Sequence, residues 1–196
     1  MLAKINTIAF NGLEILDVDL QIQISSGLPA FTIVGLPDKA VGESRERVRA
    51  ALNSLGLSLP AKRITINLAP ADLLKEGSHY DLPVALALLI GMGIIPQEEL
   101  NNYVVLGELG LDGGIIGVNG ILPVAMKANS KNMGIICPQS GGSEAAWSGL
   151  KDIIAADSLL SIINHFKGLQ IIPIPQAEKS QSQKNSVDMS DVKGQE

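Results

Sequence analysis

The sequence predicts an α/β (α+β) fold, and three observations carry that reading. Leu16, Val18, Leu20, Ile22 and Ile24 alternate with Asp17, Asp19, Gln21 and Gln23. Period two over nine residues marks a strand with one buried and one wet face. Two stretches then read as helices: 37–55, with apolar residues at helical spacing, and the start of the uncharged apolar run 82–96. From Tyr103 onward short strand-like and helix-like segments alternate, the pattern of parallel pairing with crossover helices.

The elements follow in order. Ala3 to Phe10 reads as the hairpin partner of 16–24, turning at Asn11-Gly12. Phe31 to Val34 is a third strand, stopped by Gly35-Leu36-Pro37. Pro37 and Asp38 open the first helix, which runs to about Leu55 and ends at Gly56. Val41, Val48, Leu52 and Leu55 form its core stripe, so Lys39, Glu43, Glu46 and Arg47 are expected on the solvated side, with Glu43 and Arg47 paired. Lys62 to Leu68 is an alternating strand, and Ala69 to Tyr80 a loop. Asp81 is the expected N-cap of an apolar helix from Leu82 to about Gly91. Tyr103 to Leu109 reads as one strand. Next come a helix over 122–131, a strand over 134–137, a short helix over 143–147, a strand over 151–155 and a helix over 158–167.

Composition bounds the function. The 196 residues are 46% hydrophobic, enough for one sizeable core. A net charge of −5 argues against a generally basic surface for nucleic acid or anionic membrane. The longest uncharged apolar stretch has 15 residues, whereas a spanning helix needs roughly 20, so no membrane partner is expected. One cysteine, Cys137, excludes an internal disulfide, and the start lacks the pattern of a signal peptide; a cytoplasmic location is expected. Two histidines and one cysteine without ligand spacing predict no metal site.

Within this acidic chain the basic residues are unevenly spread. All four arginines, Arg45, Arg47, Arg49 and Arg63, lie between positions 45 and 63, with Lys62 beside the last. From Lys39 to Arg63 there are six basic and two acidic residues, a local surplus of four. Three readings stay open: a phosphate-contacting patch, a rim that pairs with a neighbouring subunit, or a solvated face whose long stems cover apolar surface. Ser78, His79 and Asp81 supply the residue types of a triad, but a triad needs members that converge in space, and near-neighbours in sequence rarely do. The glycines of 107–120 lack a following Gly-Lys-Ser/Thr and a GxGxxG opening a helix, so tight turns account for them better than a phosphate loop.

Three runs carry a resemblance. GLPDKAVGESRERVRAALNSLG (35–56), APADLLKEGSHYDLPVALALL (69–89) and GELGLDGGIIGVNGILP (107–123) resemble the N-terminal domain of Mg-chelatase-like AAA+ ATPases of the bacterial ComM/YifB competence type. The resemblance implies a domain over 1–172, a polar linker over 173–187, and in DMSDVKGQE (188–196) the lead-in to a truncated ATPase module. The implied fold is ribosomal protein S5 domain 2-like, as in the proteolytic domain of Lon. Laid on Lon's nucleophile run, the serine's place falls on His79, with Ser78 one residue early; the lysine's place falls on Leu122. No catalytic residue is therefore carried over, and this fragment is expected to be no enzyme and to hold no cofactor. The resemblance further implies a parent that binds ATP and Mg, forms a hexameric ring and migrates DNA branches in natural transformation. Arg45, Arg47, Arg49, Lys62 and Arg63 are then the candidates for contact with DNA or a neighbouring subunit. Two other functions stay in view: a residual Lon-like serine peptidase using Ser78, and a metal-chelatase accessory subunit.

Overall fold

A computed structural model describes residues 2–12 and 14–177. Most of the expected linker, and all of the expected ATPase lead-in at 188–196, lie outside the described residues. Among the described residues, seven strands form one mixed, mostly parallel sheet. The strands are β1 (Leu2–Asn11), β2 (Glu14–Ser25), β3 (Ala30–Val34), β4 (Arg63–Ala69), β5 (Tyr103–Val105), β8 (Gly134–Pro138) and β9 (Ile153–Ala156). They are ordered β3-β4-β2-β1-β5-β8-β9. A separate two-stranded ribbon pairs β6 (Glu108–Leu109) with β7 (Ile115–Ile116). The helices are α1 (Lys39–Ser54), α2 (Asp81–Gly91), α3 (Ile121–Ser130), α4 (Gly142–Ala146) and α5 (Leu159–Phe166).

The alternation of β2 decides its placement: Val18, Leu20, Ile22 and Ile24 are buried while Asp17, Asp19 and Gln23 are exposed. A one-residue slip against β1 or β4 would turn that whole set to water. β1 and β2 pair antiparallel, as do β2 and β4; every other pairing in the sheet is parallel. In β8 and β9 successive residues point into two different cores. Ile136, Ile154 and Ala156 pack with α2 and α5, whereas Ile135, Cys137, Ile153 and Ala155 pack with α3 and α4. That half of the sheet is covered on both faces, so its strands read as apolar runs without alternation. Burial pushes the Cys137 thiol up to about 12, which keeps it an inert packing group.

Helix α2 is the centre of the larger core. All ten residues from Asp81 to Ile90 are buried, so the helix lacks a polar face. Each fully buried Leu or Val there stabilises the fold by roughly 1.5–3 kcal/mol. α1 opens on Asp38, whose Oδ1 accepts the N–H of Val41 at 2.7 Å, and Gly56 leaves it at a φ of +73°. Gly35, at a φ of +103°, turns the chain from β3 toward α1. A Cβ there would sit 2.1 Å from the Leu68 carbonyl oxygen, so only glycine fits between the two strands.

Two expectations are corrected. The single strand predicted over 103–109 is broken after Val105. Leu106 still donates to the Ile136 carbonyl, but Gly107 leaves the sheet: it donates to the His79 carbonyl and accepts the N–H of Leu82. The backbone is diverted to satisfy the start of α2, and Glu108–Leu109 begins the ribbon instead. Asp81 does not cap α2. A 3-10 turn over Ser78–Tyr80 runs directly into the helix, and Asp81 lies inside it with its carboxylate fully buried.

Candidate functional site

The arginines divide between two environments. α1 packs against α2, and its Val41, Val48, Ala51 and Leu52 are buried in the main core. Ser44 and Arg47 face α2. Asp81 accepts from the Ser44 hydroxyl, from Arg47 Nε at 2.5 Å and Nη2 at 3.0 Å, and from the Leu109 N–H at 3.2 Å. Arg47 also donates to the Ala40 carbonyl at 3.0 Å. The bond to Asp81 raises the Arg47 guanidinium above its ordinary value, against the opposing pull of burial. Arg47 therefore turns inward rather than to the solvated side and joins α1 to α2, while Asp81 also accepts from β6. Its Glu43 contact is the weaker one, at 3.9 Å.

Arg45 and Arg49, four residues apart, share the other flank of α1. With Lys62, in the loop that enters β4, they line a cleft of about 390 Å³. The remaining wall is apolar and includes Pro29, Phe31, Leu59 and Pro60. The cleft exists because β3 and β4 lie parallel with α1 as their crossover, which brings the segments before both strands under one side of the helix. Glu46 spans the two guanidiniums: its carboxylate accepts from Arg45 Nε at 2.9 Å and from Arg49 Nη1 at 3.3 Å. Arg63 is exposed at the start of β4, next to Lys62 but outside the lining of this cleft. Both side chains of the Arg45–Glu46 pair are about half exposed, so the pair itself adds little stability.

The turn before α2 forms a second cleft, also about 390 Å³, lined by Phe10, Glu76, Ser78, His79, Glu108 and Asn119 among others. The Ser78 hydroxyl donates to Glu108 Oε2. His79 is buried and its Nε2 faces the Ile8 carbonyl at 3.0 Å. A carbonyl only accepts, so Nε2 carries the proton. The ring packs on Tyr80 with centroids 4.1 Å apart and meets Phe10 edge-on at 5.6 Å. Burial lowers the His79 pKa, with the Ile8 bond opposing it, so the ring is held neutral. Leu122 lies on α3 outside this cleft, and its N–H donates to Glu144 Oε1 at 2.9 Å. Ser78, His79 and Asp81 do not form a relay: Ser78 reaches Glu108, His79 a backbone carbonyl, and Asp81 an arginine. Among the described residues, no three His, Cys, Asp or Glu side chains converge as a metal site. No described helix is long and apolar enough to cross a membrane.

Sequence reasoning missed Glu108, Glu46 and the inward role of Asp81. Glu46 was findable, since it is three residues from Arg49 on one helix. Glu108 and Asp81 acquire their partners across 30 and 34 positions, which no local pattern reveals.

Fold and site define a mixed α/β domain with one basic cleft and a serine-bearing turn in which the serine bonds a carboxylate. The chain belongs to the family of subunit ChlI of Mg-chelatase, whose family model matches residues 20–141. It is 38% identical over 195 residues to an uncharacterized protein, YifB, of Escherichia coli (strain K12), covering 100% of this chain and 38% of that protein. It is 34% identical over 200 residues to the competence protein ComM of Haemophilus influenzae, covering 100% of this chain and 39% of that protein. An uncharacterized protein of Mycobacterium tuberculosis (strain H37Rv), Rv2897c, is 35% identical over 195 residues, with 99% of this chain and 39% of that protein covered. The chain thus spans less than two fifths of the length of these relatives.

Proposed function

We propose that this chain is a non-catalytic N-terminal module of a Mg-chelatase-like AAA+ ATPase that works on DNA, a ring-forming motor of the ComM branch-migration type. In this reading the module contributes nucleic-acid contact through Arg45, Arg49 and Lys62, and supports assembly of the ring. ATP and Mg²⁺ would be handled by other parts of the parent.

The observation that carries the reading is the cleft itself. In a chain of net charge −5, three cations from two separated segments converge on one concavity with a single carboxylate between two of them. Such a cluster attracts the phosphate backbone and releases its counterions. The similarity to a competence protein supports the same direction.

The test is fluorescence anisotropy of the 196-residue chain with single-stranded and forked DNA over a salt series. Three phosphate contacts on a single strand predict a log–log salt slope of about −2. Arg45→Ala with Arg49→Ala should weaken binding at low salt and flatten that slope by about one or more. Absence of binding at low salt, or binding unchanged in the double variant, overturns the assignment.

A further inference from the structure

The cleft has two chemically different sides, and the cationic reading uses only one of them. Arg45, Arg49 and Lys62 supply charge, while Pro29, Phe31, Leu59 and Pro60 supply a wall of apolar and aromatic surface. Phe31 and Leu59 are half-buried and pack against the main core, so the wall is held in place from behind. A site built only to track a backbone needs charge alone. In a duplex the bases are stacked inward, and phosphates and sugars are what a shallow basic surface meets first. A cleft of about 390 Å³ is at the size of a small-ligand site and has room for one nucleotide.

We propose that the cleft takes one unstacked nucleotide of single-stranded nucleic acid. The phosphate sits on Arg45, Arg49 and Lys62, and the base lies against Phe31 and the flanking prolines. This rests on the nucleic-acid reading above and narrows it to a substrate class. Glu46 has a defined part: its carboxylate holds the two guanidiniums together in the free protein, at 2.9 and 3.3 Å, and occupies bonding capacity that a phosphate would use. An entering phosphate exchanges for one carboxylate, so the guanidiniums need little reordering.

The experiment compares three probes at low salt: an oligo-dT strand, a strand of equal length and charge carrying abasic sites, and a duplex of matched length. The expected order is oligo-dT tightest, with the abasic strand weaker by roughly tenfold, the scale of one base–aromatic stack. Glu46→Gln, an exposed change with no packing role, should tighten oligo-dT binding several-fold and shift the salt curve upward. Phe31→Ala should weaken oligo-dT toward the abasic strand while leaving the abasic strand itself unchanged; circular dichroism checks that the variant folds. Equal binding of oligo-dT and abasic strand, or preference for duplex, overturns the single-nucleotide site and leaves the basic cleft standing. Glu46→Gln without effect on oligo-dT overturns it as well. Poly-glutamate that competes as well as oligo-dT makes the cleft a dock for acidic protein and overturns it. No binding of any probe removes the nucleic-acid reading itself.

Discussion

Arg47→Met keeps most of the side chain's length and removes its charge, which isolates the role of the inward ion pair. The Asp81 carboxylate is fully buried and accepts four hydrogen bonds, from Ser44, twice from Arg47 and once from the Leu109 N–H. The substitution removes two of these donors and the only cation bonded to Asp81 among the described residues. Leaving a buried charge without its partner costs about 3–5 kcal/mol. Because the Arg47 side chain is 20% exposed and water can follow it inward, we expect the lower end, about 3 kcal/mol. Asp81→Asn should cost less, about 2 kcal/mol, since the amide oxygen still accepts and the guanidinium retains solvent and Ala40. The double variant should cost less than the two single costs together, with a coupling of about 1–3 kcal/mol. Urea unfolding followed by circular dichroism at pH 7 measures all three, with an unchanged m-value as the check on compactness. For a domain of this size, a loss of about 3 kcal/mol lowers Tm by roughly 6–12 °C. Under the proposed function, DNA binding per folded molecule should not change, because Arg47 does not line the basic cleft. A cost below about 1 kcal/mol for Arg47→Met, or strict additivity in the double variant, would refute this account.

Further outcomes follow from the same geometry. Gly35→Ala should destabilise by roughly 3 kcal/mol or more, because a Cβ would overlap the Leu68 carbonyl at a φ of +103°; a Tm within 2 °C of the parent would contradict the contact. His79 has a folded pKa below its ordinary 6.5, so the unfolded chain binds the proton more readily. Stability should therefore hold above pH 6.5 and decline as pH falls from 6.5 toward the lower folded value. His79→Gln retains an N–H for Ile8 and should flatten that decline between pH 7 and 5.5 in chemical denaturation. Burial pulls Asp17 upward, but bonds to Lys131 and Lys127 together outweigh it and hold Asp17 below its ordinary 3.8, so its contribution is lost only below pH 3.8 and does not confuse the window. Ser78→Ala should leave the rate of hydrolysis of an unstructured peptide by this chain unchanged, because the hydroxyl is bonded to Glu108 with no lysine in the cleft lining. A rate that falls on substitution would revive the peptidase reading.

Much of the architecture was legible because it is written in short-range periodicity. The alternation of β2 determined both the strand and its buried face, and the uniform apolarity of 82–90 marked a helix covered on every side. The same uniformity hid the boundary at Asp81, since an acidic residue at the head of an apolar run reads as a cap until a partner is found. The break at Gly107 was equally invisible: it is made by hydrogen bonds to His79 and Leu82, not by anything in the strand itself. For the candidate site, the sequence alone showed that the arginines are concentrated in 45–63. It assigned Arg47 to the solvent side because one core stripe was assumed for α1. Tertiary structure decided otherwise, since α1 packs against α2, where the buried Asp81 carboxylate takes Arg47 as its cation. The meeting of Lys62 with the two arginines, and of Ser78 with Glu108, likewise depends on parallel crossover and on the diverted ribbon. Those contacts join residues far apart in the chain, and only the packing of the elements brings them within reach.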